Sequence, residues 1–279
     1  MKEIPVQEIL ARHGLSTVKA LGQNFLKDAS VLESIAAAAG QGGNVLEIGA
    51  GIGTLTNLLS KNARRAVTVE IDRRLEPMLR QEVPNPNHRF LWQDILATDL
   101  KAVAEEYFEG EPFTVVGNLP YYITTEILLK LFAALPAWER AVLMVQKEVA
   151  DRLLCSAGSK EYRALSVITQ TLCEGEKILE VPPHCFVPAP HVHSAVLVLT
   201  PRETRPAEGF VSFVQSGFAA RRKMLCSSPA FLQKTGLQKE GLRQLLAEAD
   251  LPENARGETF SPAEWYRLYE LAQNKREEE

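Results

Sequence analysis

The sequence has no surplus of basic residues. Its 279 residues include 31 Lys and Arg against 35 Asp and Glu, which gives a formal net charge of −4 at pH 7. Proteins that bind nucleic acid normally carry a basic surplus. The total charge therefore argues against a protein that coats naked nucleic acid, but it does not exclude a local basic patch.

Long apolar runs and paired cysteines are also missing. Because no run of about 18 apolar residues is present, we expect no transmembrane helix. The N-terminal segment has no apolar signal core, so we expect a mature cytoplasmic protein. The cysteines form no CxxC pair and have no regular spacing, which favours reduced thiols; they are Cys155, Cys173, Cys185 and Cys226.

One short segment contains potential zinc ligands, namely His184, Cys185, His191 and His193. Zinc sites in proteins use such side chains. These residues have no finger-like spacing, however, and prolines stiffen the loop that contains the first two. We therefore interpret the cluster as structural and predict no metal site.

Short apolar runs alternate with helical patterns as far as Pro201. This alternation predicts βαβ units and a doubly wound, mostly parallel α/β sheet. The last two predicted strands are separated by a proline-rich loop and not by a helix, which indicates an antiparallel edge. The predicted strands span residues 44–49, 66–70, 89–93, 113–117, 141–146, 177–181 and 194–199.

A polar linker with two prolines spans residues 201–206. Only helical patterns follow it. One of them begins at Ser261, with proline next and Glu264 three residues later, which is a helix start signal. The sequence therefore predicts a first domain over residues 1–201 and a small all-α domain over residues 202–279.

Polar residues and glycines follow the first four predicted strands. The segment Gly49–Gly53 has the spacing G-x-G-x-G, and its glycines allow a sharp turn between strand and helix. Glu70 ends the second strand about 20 residues later, where nucleotide-binding folds place a ribose-binding carboxylate; Asp72 is an alternative. Asp94 and Asn118 end the next two strands. Because the carboxyl ends of parallel strands lie at one edge, these residues should line one crevice.

The segment Asn118-Leu119-Pro120-Tyr121 is the most specific motif in the chain. An amide oxygen and a fixed main-chain carbonyl can accept hydrogen bonds from an exocyclic amine, and the aromatic ring can stack on the base. Such an amine is a poor nucleophile, so orienting its lone pair would supply most of the catalysis. The alternative is a simple Asn-x-Pro turn beside a core tyrosine.

Seven motifs, in order and at matching spacing, resemble the KsgA/RsmA ribosomal RNA adenine dimethyltransferases. The resemblance extends from about residue 15 to residue 225. The motifs lie at residues 21–26, 47–53, 93–94, 118–121, 146–153, 186–196 and 220–223.

The resemblance implies a Rossmann-like class I methyltransferase sheet with a helical C-terminal domain. It also implies S-adenosylmethionine as the cofactor and N6,N6-dimethylation of two adjacent adenosines in the 3′-terminal hairpin loop of small-subunit (16S) rRNA. We expect a monomer that acts on an assembling 30S particle. The implied cofactor-binding residues are Gln23, Asn24, Leu26, Gly49, Gly51, Glu70, Asp94 and Asn118. The implied catalytic residues are Asn118, Leu119, Pro120, Tyr121 and Phe186, and the implied RNA-binding residues are Arg221, Arg222 and Lys223.

Two aromatic side chains have alternative interpretations. Phe186 could stack with Tyr121 on a flipped adenine, or it could be a core residue beside prolines. Phe25 could be a core residue or a lid over the site. The basic triplet that begins at Arg221 could contact RNA or could simply be a solvated surface.

The chain departs from the family pattern at three places, which are His193, Glu126 and residues 226–229.

Three other functions stay open. One is an Erm-type methyltransferase acting on large-subunit rRNA, although such chains are usually strongly basic. Another is a non-catalytic assembly factor, and the third is a DNA adenine methyltransferase.

Overall fold

The computed structural model describes residues 3–203, 209–220 and 223–277. The chain divides into two compact units. The first contains the described residues of Met1–Ala150 and Glu176–Pro201, and the second contains those of Asp151–Gly175 and Arg202–Glu279. The predicted boundary at residue 201 matches one of these divisions.

The segment Asp151–Gly175 differs from the sequence-based expectation, which placed it in the first domain. It belongs to the second unit. The reason is the apolar helix Ala164–Leu172, which packs against the helices Phe210–Phe218 and Pro262–Glu277.

The strands are β1 (Phe25–Leu26), β2 (Asn44–Ile48), β3 (Arg65–Glu70), β4 (His88–Trp92), β5 (Phe113–Asn118), β6 (Trp138–Gln146), β7 (Cys173–Val181), β8 (Phe186–Val187) and β9 (Ser194–Pro201). The first unit is built around a seven-stranded sheet with the order β4-β3-β2-β5-β6-β9-β7. β3, β2, β5 and β6 pair in parallel, and β9 runs antiparallel to β6. The prediction of a mostly parallel sheet with an antiparallel edge is confirmed.

The central strands are buried along their whole length because helices cover both faces of a doubly wound sheet. Their register brings the strand ends together. Ile48, the last residue of β2, is opposite Val69 on one side and Gly117 on the other. Glu70 and Asn118, each one residue further along, therefore lie at the same edge of the sheet.

Several helices begin at a side chain that caps free main-chain N–H groups. Asp28 and Asp99 do so for α2 and α5. The helices are α1 (Val6–Arg12), α2 (Ala29–Ala39), α3 (Thr54–Asn62), α4 (Glu76–Glu82), α5 (Leu100–Phe108), α6 (Thr124–Ala133), α7 (Lys147–Leu154), α8 (Ala164–Leu172), α9 (Phe210–Phe218), α10 (Pro229–Thr235), α11 (Lys239–Glu248) and α12 (Pro262–Glu277).

The second unit has an aromatic core centred on Trp265, which is fully buried. Its ring lies 6.0 Å from the ring centres of Phe213 and Phe231. The predicted helix start before α12 is present, since Glu264 accepts a hydrogen bond from the Ser261 main-chain N–H at 2.7 Å.

In the described part of the chain, no helix is both long and apolar enough to cross a membrane.

Candidate active site

Two cavities open at the carboxyl ends of the parallel strands and share part of their walls. We call them the first and the second cavity. Of the predicted site residues, the first cavity is lined by Gln23, Asn24, Leu26, Gly49, Gly51, Asn118, Leu119, Pro120 and Tyr121. The second is lined by Gln23, Gly49, Glu70, Asp94 and Pro120. The structure therefore assembles most of the predicted set at one edge.

Glu70, the last residue of β3, holds the turn that follows β2. Its Oε2 accepts hydrogen bonds from the main-chain N–H groups of Ala50 at 2.9 Å and Gly51 at 3.3 Å. Its Oε1 accepts one from the N–H of Asp72 at 2.8 Å. Burial raises the pKa of the Glu70 carboxyl, although these three bonds act in the opposite direction. The side chain thus fixes the glycine-rich turn and also lines the second cavity.

Asp72, the alternative candidate for the ribose-binding carboxylate, makes different contacts from Glu70. It accepts a hydrogen bond from Nε2 of Gln23 at 3.0 Å and forms an ion pair with Arg74 at 2.6 Å. The hydrogen bond from Arg74 lowers the pKa of the Asp72 carboxyl. Asp72 therefore anchors the loop that carries Gln23, whereas Glu70 contributes to the cavity wall.

Asn118 is held in one orientation by the loop before α2. Its Nδ2 donates a hydrogen bond to the main-chain oxygen of Asn24 at 3.0 Å. The following turn is also fixed, because the N–H of Leu119 donates to the oxygen of Met144 at 3.0 Å and that of Ile123 to the oxygen of Pro120 at 3.2 Å. One N–H of the amide is thereby engaged, and among the described residues no donor contacts Oδ1 of Asn118, which leaves this oxygen as an acceptor at the first cavity.

Tyr121 lines the first cavity with its ring, while its hydroxyl reaches the sheet. The hydroxyl lies 2.6 Å from Oγ of Ser194, the buried first residue of β9. Burial raises the pKa of Tyr121. The hydrogen bond holds the aromatic ring at a fixed position beside Asn118.

A buried polar chain lies beneath the glycine-rich turn. Oγ1 of Thr68 is 2.7 Å from Oε2 of Glu47 and 2.9 Å from Nε2 of His88. Burial raises the pKa of Glu47 to about 7 and lowers that of His88 to about 4. Glu47 lines the first cavity, and its Oε1 is buried without a hydrogen-bond partner among the described residues.

Asp94 begins a short 3-10 helix in the wall of the second cavity. Its Oδ1 accepts a hydrogen bond from the N–H of Leu96 at 2.8 Å. Within the described residues, Oδ2 of Asp94 receives no hydrogen bond. The carboxylate is thus oriented by its own turn and keeps one oxygen for a ligand.

Phe186 differs from the stacking role that the resemblance implied. It pairs with Leu26 between β8 and β1, is only 2% exposed, and belongs to the same apolar cluster as Leu32. Because its ring fills the core, it does not line either cavity and forms no sandwich with Tyr121. Phe25 is a core residue and also lines the first cavity, and its role as a lid stays a prediction.

The predicted RNA-binding triplet is only partly described. Arg221 and Arg222 lie outside the described residues. Lys223 is exposed, and its main-chain N–H donates a hydrogen bond to the oxygen of Ala220 at 2.8 Å.

Among the described residues, no group of three or more His, Cys, Asp or Glu side chains could hold a metal ion.

The family model described as ribosomal RNA adenine dimethylase matches residues 15–274. The chain is 42% identical to ribosomal RNA small subunit methyltransferase A of Geobacillus thermodenitrificans (strain NG80-2), over 94% of this chain and 93% of that protein. It is 38% identical to the protein of the same name from Clostridioides difficile (strain 630), over 96% and 95% of the two chains. This chain belongs to the ribosomal RNA adenine dimethylase family.

Solved structures agree with this membership. A dimethyladenosine transferase from Plasmodium falciparum superimposes with a TM-score of 0.77 at 25% identity, covering 90% of this chain and 98% of that one. The 23S rRNA methyltransferase ErmE superimposes with a TM-score of 0.66 at 30% identity, covering 90% and 100%. The predicted class I methyltransferase fold is confirmed.

The cavities of this family member fit a cofactor that is cationic at one end and a nucleoside at the other. Positive φ angles at Gly49 and Gly51 keep the turn open, and a Cβ at Gly51 would lie 3.1 Å from the Phe25 ring. Glu47 lies in the wall of the first cavity, and its buried Oε1 has no hydrogen-bond partner among the described residues, which is consistent with a polar or cationic group nearby. Glu70 and Asp94 offer carboxylates to a nucleoside in the second cavity.

The structure adds two residues that sequence reasoning did not single out. Ile71 and Tyr122 line the second cavity. Ile71 follows Glu70 directly and Tyr122 follows Tyr121, so the motifs do point to their neighbourhood. Their exposure, however, depends on tertiary structure and has no local signal.

Proposed function

We propose that this chain transfers methyl groups from S-adenosylmethionine to N6 of two adjacent adenosines in the 3′-terminal hairpin loop of small-subunit rRNA. One observation carries the proposal: the amide of Asn118 is fixed through Nδ2, which leaves Oδ1 as an acceptor beside Tyr121 at the first cavity. Membership in the ribosomal RNA adenine dimethylase family supports the choice of target.

Asn118 and Leu119 would act by orienting the target amine. The Oδ1 of Asn118 and the main-chain oxygen of Leu119 accept hydrogen bonds from the two N6 hydrogens, so that the nitrogen lone pair points into the first cavity. When bound, S-adenosylmethionine supplies an electrophilic methyl group. Positioning of this kind accounts for much of the rate gain in such reactions, and no strong general base is needed because the proton leaves to water.

Glu70, Asp94, Gln23 and the glycine-rich turn would hold the cofactor across both cavities. Gln23 lines both cavities, and its hydrogen bond to Asp72 fixes it there. Asn24 and Leu26 close the first cavity from the same loop. Pro120 lies in both walls, where it would separate the cofactor from the target base.

Tyr121 would stack on the target adenine. Chemistry on a base requires the base to leave its own stack, and an aromatic face compensates for the stacking that is lost. The hydrogen bond between its hydroxyl and that of Ser194 keeps that face at the cavity wall.

The proposed substrate is rRNA within an assembling 30S particle, and the proposed enzyme is a cytoplasmic monomer. The net charge of −4 supports a structured particle as the substrate. Affinity for naked RNA depends on the number of phosphates that are neutralised, so a chain with an acidic balance should bind free RNA weakly. Lys223, with Arg221 and Arg222, would contribute a local basic patch.

The decisive experiment is methylation of undermethylated ribosomal subunits with labelled S-adenosylmethionine, followed by mass mapping of the modified nucleotides. We expect two labelled methyl groups on each of two adjacent adenosines of small-subunit rRNA. Large subunits from the same cells are the matched control. Label on large-subunit rRNA alone would instead favour an activity like that of ErmE, which is also a structural relative.

A further inference from the structure

The two most exposed large apolar side chains identified in the structure meet at one cavity. Tyr122 is 57% exposed and Ile71 is 51% exposed, and both line the second cavity. Exposed apolar side chains that converge at a site commonly mark a binding surface. Both residues lie in the wall of the second cavity, but more than half of Tyr122 is exposed to solvent, and the function proposed above assigns this ring no contact.

Tyr122 is presented by a rigid turn. It is the central residue of the 3-10 helix Tyr121–Ile123, which is braced by the hydrogen bond from Oγ1 of Thr124 to the oxygen of Pro120 at 3.0 Å. On one side the ring lies against the loop at Gly22, where an added Cβ would come within 3.3 Å of Cδ1 and Cε1. The ring is therefore supported by protein on that side and largely open to solvent elsewhere.

A lysine contacts the wall of the second cavity. Lys130 of α6 lies eight residues after Tyr122 in the chain, and its Nζ donates a hydrogen bond to the main-chain oxygen of Leu96 at 2.9 Å. Leu96 lines the second cavity together with Tyr122. Among the described residues, no carboxylate forms an ion pair with Lys130, so its charge is available to an anion.

We propose that Tyr122 and Lys130 form a platform for the nucleotide that neighbours the target adenosine. The base stacks on the exposed ring of Tyr122, and its phosphate approaches the ammonium of Lys130. An aromatic ring paired with a cation is how proteins hold unpaired nucleotides without reading their sequence. Tyr121 and Tyr122 would then hold consecutive bases, one inside the first cavity and one outside it.

This inference rests on the proposed function and deepens it by naming a second contact to the RNA. It is tested with Tyr122→Ala and Tyr122→Phe in the full-length enzyme on undermethylated small subunits. Because stacking on one aromatic residue is worth about 1–3 kcal/mol, we expect Tyr122→Ala to raise KM for the subunits roughly tenfold. Tyr122→Phe keeps the ring and should restore KM. The calorimetric Kd for S-adenosylmethionine should be the same in both variants as in the wild type.

Lys130→Gln should raise the same KM roughly threefold and reduce its dependence on salt, because one phosphate contact is lost. Ile178→Ala and Lys101→Gln are the matched controls, since they remove an exposed apolar side chain and an exposed cation outside both cavities.

The experiment tests the Tyr122 platform and the proposed function separately. A weaker cofactor Kd with unchanged KM for the subunits would assign Tyr122 to the cofactor site and overturn the platform. Unchanged KM in Tyr122→Ala would also overturn it while leaving the proposed function intact. A wild-type enzyme that transfers no methyl group to small-subunit rRNA would overturn the proposed function itself, and the platform with it.

Discussion

The side-chain Nδ2 of Asn118 lies 3.0 Å from the main-chain oxygen of Asn24. This bond joins the end of β5 to the loop that precedes α2, and the two residues are 94 positions apart. It decides which end of the amide faces the first cavity. A primary amide carries two N–H donors on nitrogen and an acceptor on oxygen. The bond to Asn24 uses one N–H and orients the amide so that Oδ1 is the acceptor offered to a substrate.

Replacing Asn118 with Ala should abolish methyl transfer and leave rRNA binding nearly intact. The variant loses the acceptor that orients the amine, and misplacement of a reacting group by about 1 Å can reduce the rate about a hundredfold. We expect a fall in kcat of that size or larger, measured by incorporation of labelled methyl groups, with filter binding of small subunits in parallel. Asn57→Ala on α3 is the control. Equal loss of binding and transfer would show that Asn118 is structural.

Replacing Glu70 with Ala should weaken cofactor affinity. The change removes the acceptor for the N–H groups of Ala50, Gly51 and Asp72, so the glycine-rich turn loses its anchor. Hydrogen bonds to a charged group contribute about 1.5–3 kcal/mol, which corresponds to a rise in Kd of roughly ten- to a hundredfold by titration calorimetry. Glu76→Ala on α4 is the control. Unchanged affinity would contradict the assignment.

Much of the wall of the two cavities could be predicted from the sequence, because the carboxyl ends of neighbouring parallel strands lie at one edge of the sheet. Once β2, β3 and β5 were recognised, Gly49, Glu70 and Asn118 had to share one edge. The antiparallel edge followed in the same way from the missing helix between the last two strands.

The remaining features depend on contacts between distant segments. Nothing local to Gln23 indicates its bond to Asp72, 49 residues away. The resemblance implied a stacking role for Phe186, but its pairing with Leu26 places the ring in the apolar core. The helix Ala164–Leu172 joins the second unit because its apolar face fits helices that follow it by about 40 residues or more.

Replacement by alanine should change the free energy of unfolding in opposite directions at two glycines of the second unit. A Cβ at Gly217 of α9 would lie 2.3 Å from Cη2 of Trp265, whereas at Gly241 of α11 the nearest atom is 3.6 Å away. Gly217→Ala should therefore lower the free energy of unfolding by about 1–3 kcal/mol through overpacking. Gly241→Ala should raise it by about 0.5–1 kcal/mol because alanine favours a helix. Chemical denaturation measures both, and equal effects would contradict the packing around Trp265.

The pKa of Glu47 predicts an unusual dependence of stability on pH. Burial raises this pKa from 4.5 to about 7. Between these values the folded state holds a proton that the unfolded state has released, so the stability contributed by Glu47 is present below about pH 4.5 and is lost as the pH rises to about 7. The loss is on the order of 3 kcal/mol. His88 acts in the opposite direction, because its lowered pKa adds stability as the pH rises from about 4 to 6.5.

The variant Glu47→Gln separates the pH-dependent contribution of Glu47 from that of His88. Glutamine keeps a polar group beside Thr68 but does not titrate. The free energy of unfolding of this variant, relative to the wild type, should increase as the pH rises from 5 to 8. Urea denaturation at a series of pH values measures the difference, with Glu33→Gln at an exposed position of α2 as the control. Parallel curves for Glu47→Gln and the wild type would mean that the pKa of Glu47 is the same in the folded and the unfolded state, which would contradict the effect of burial.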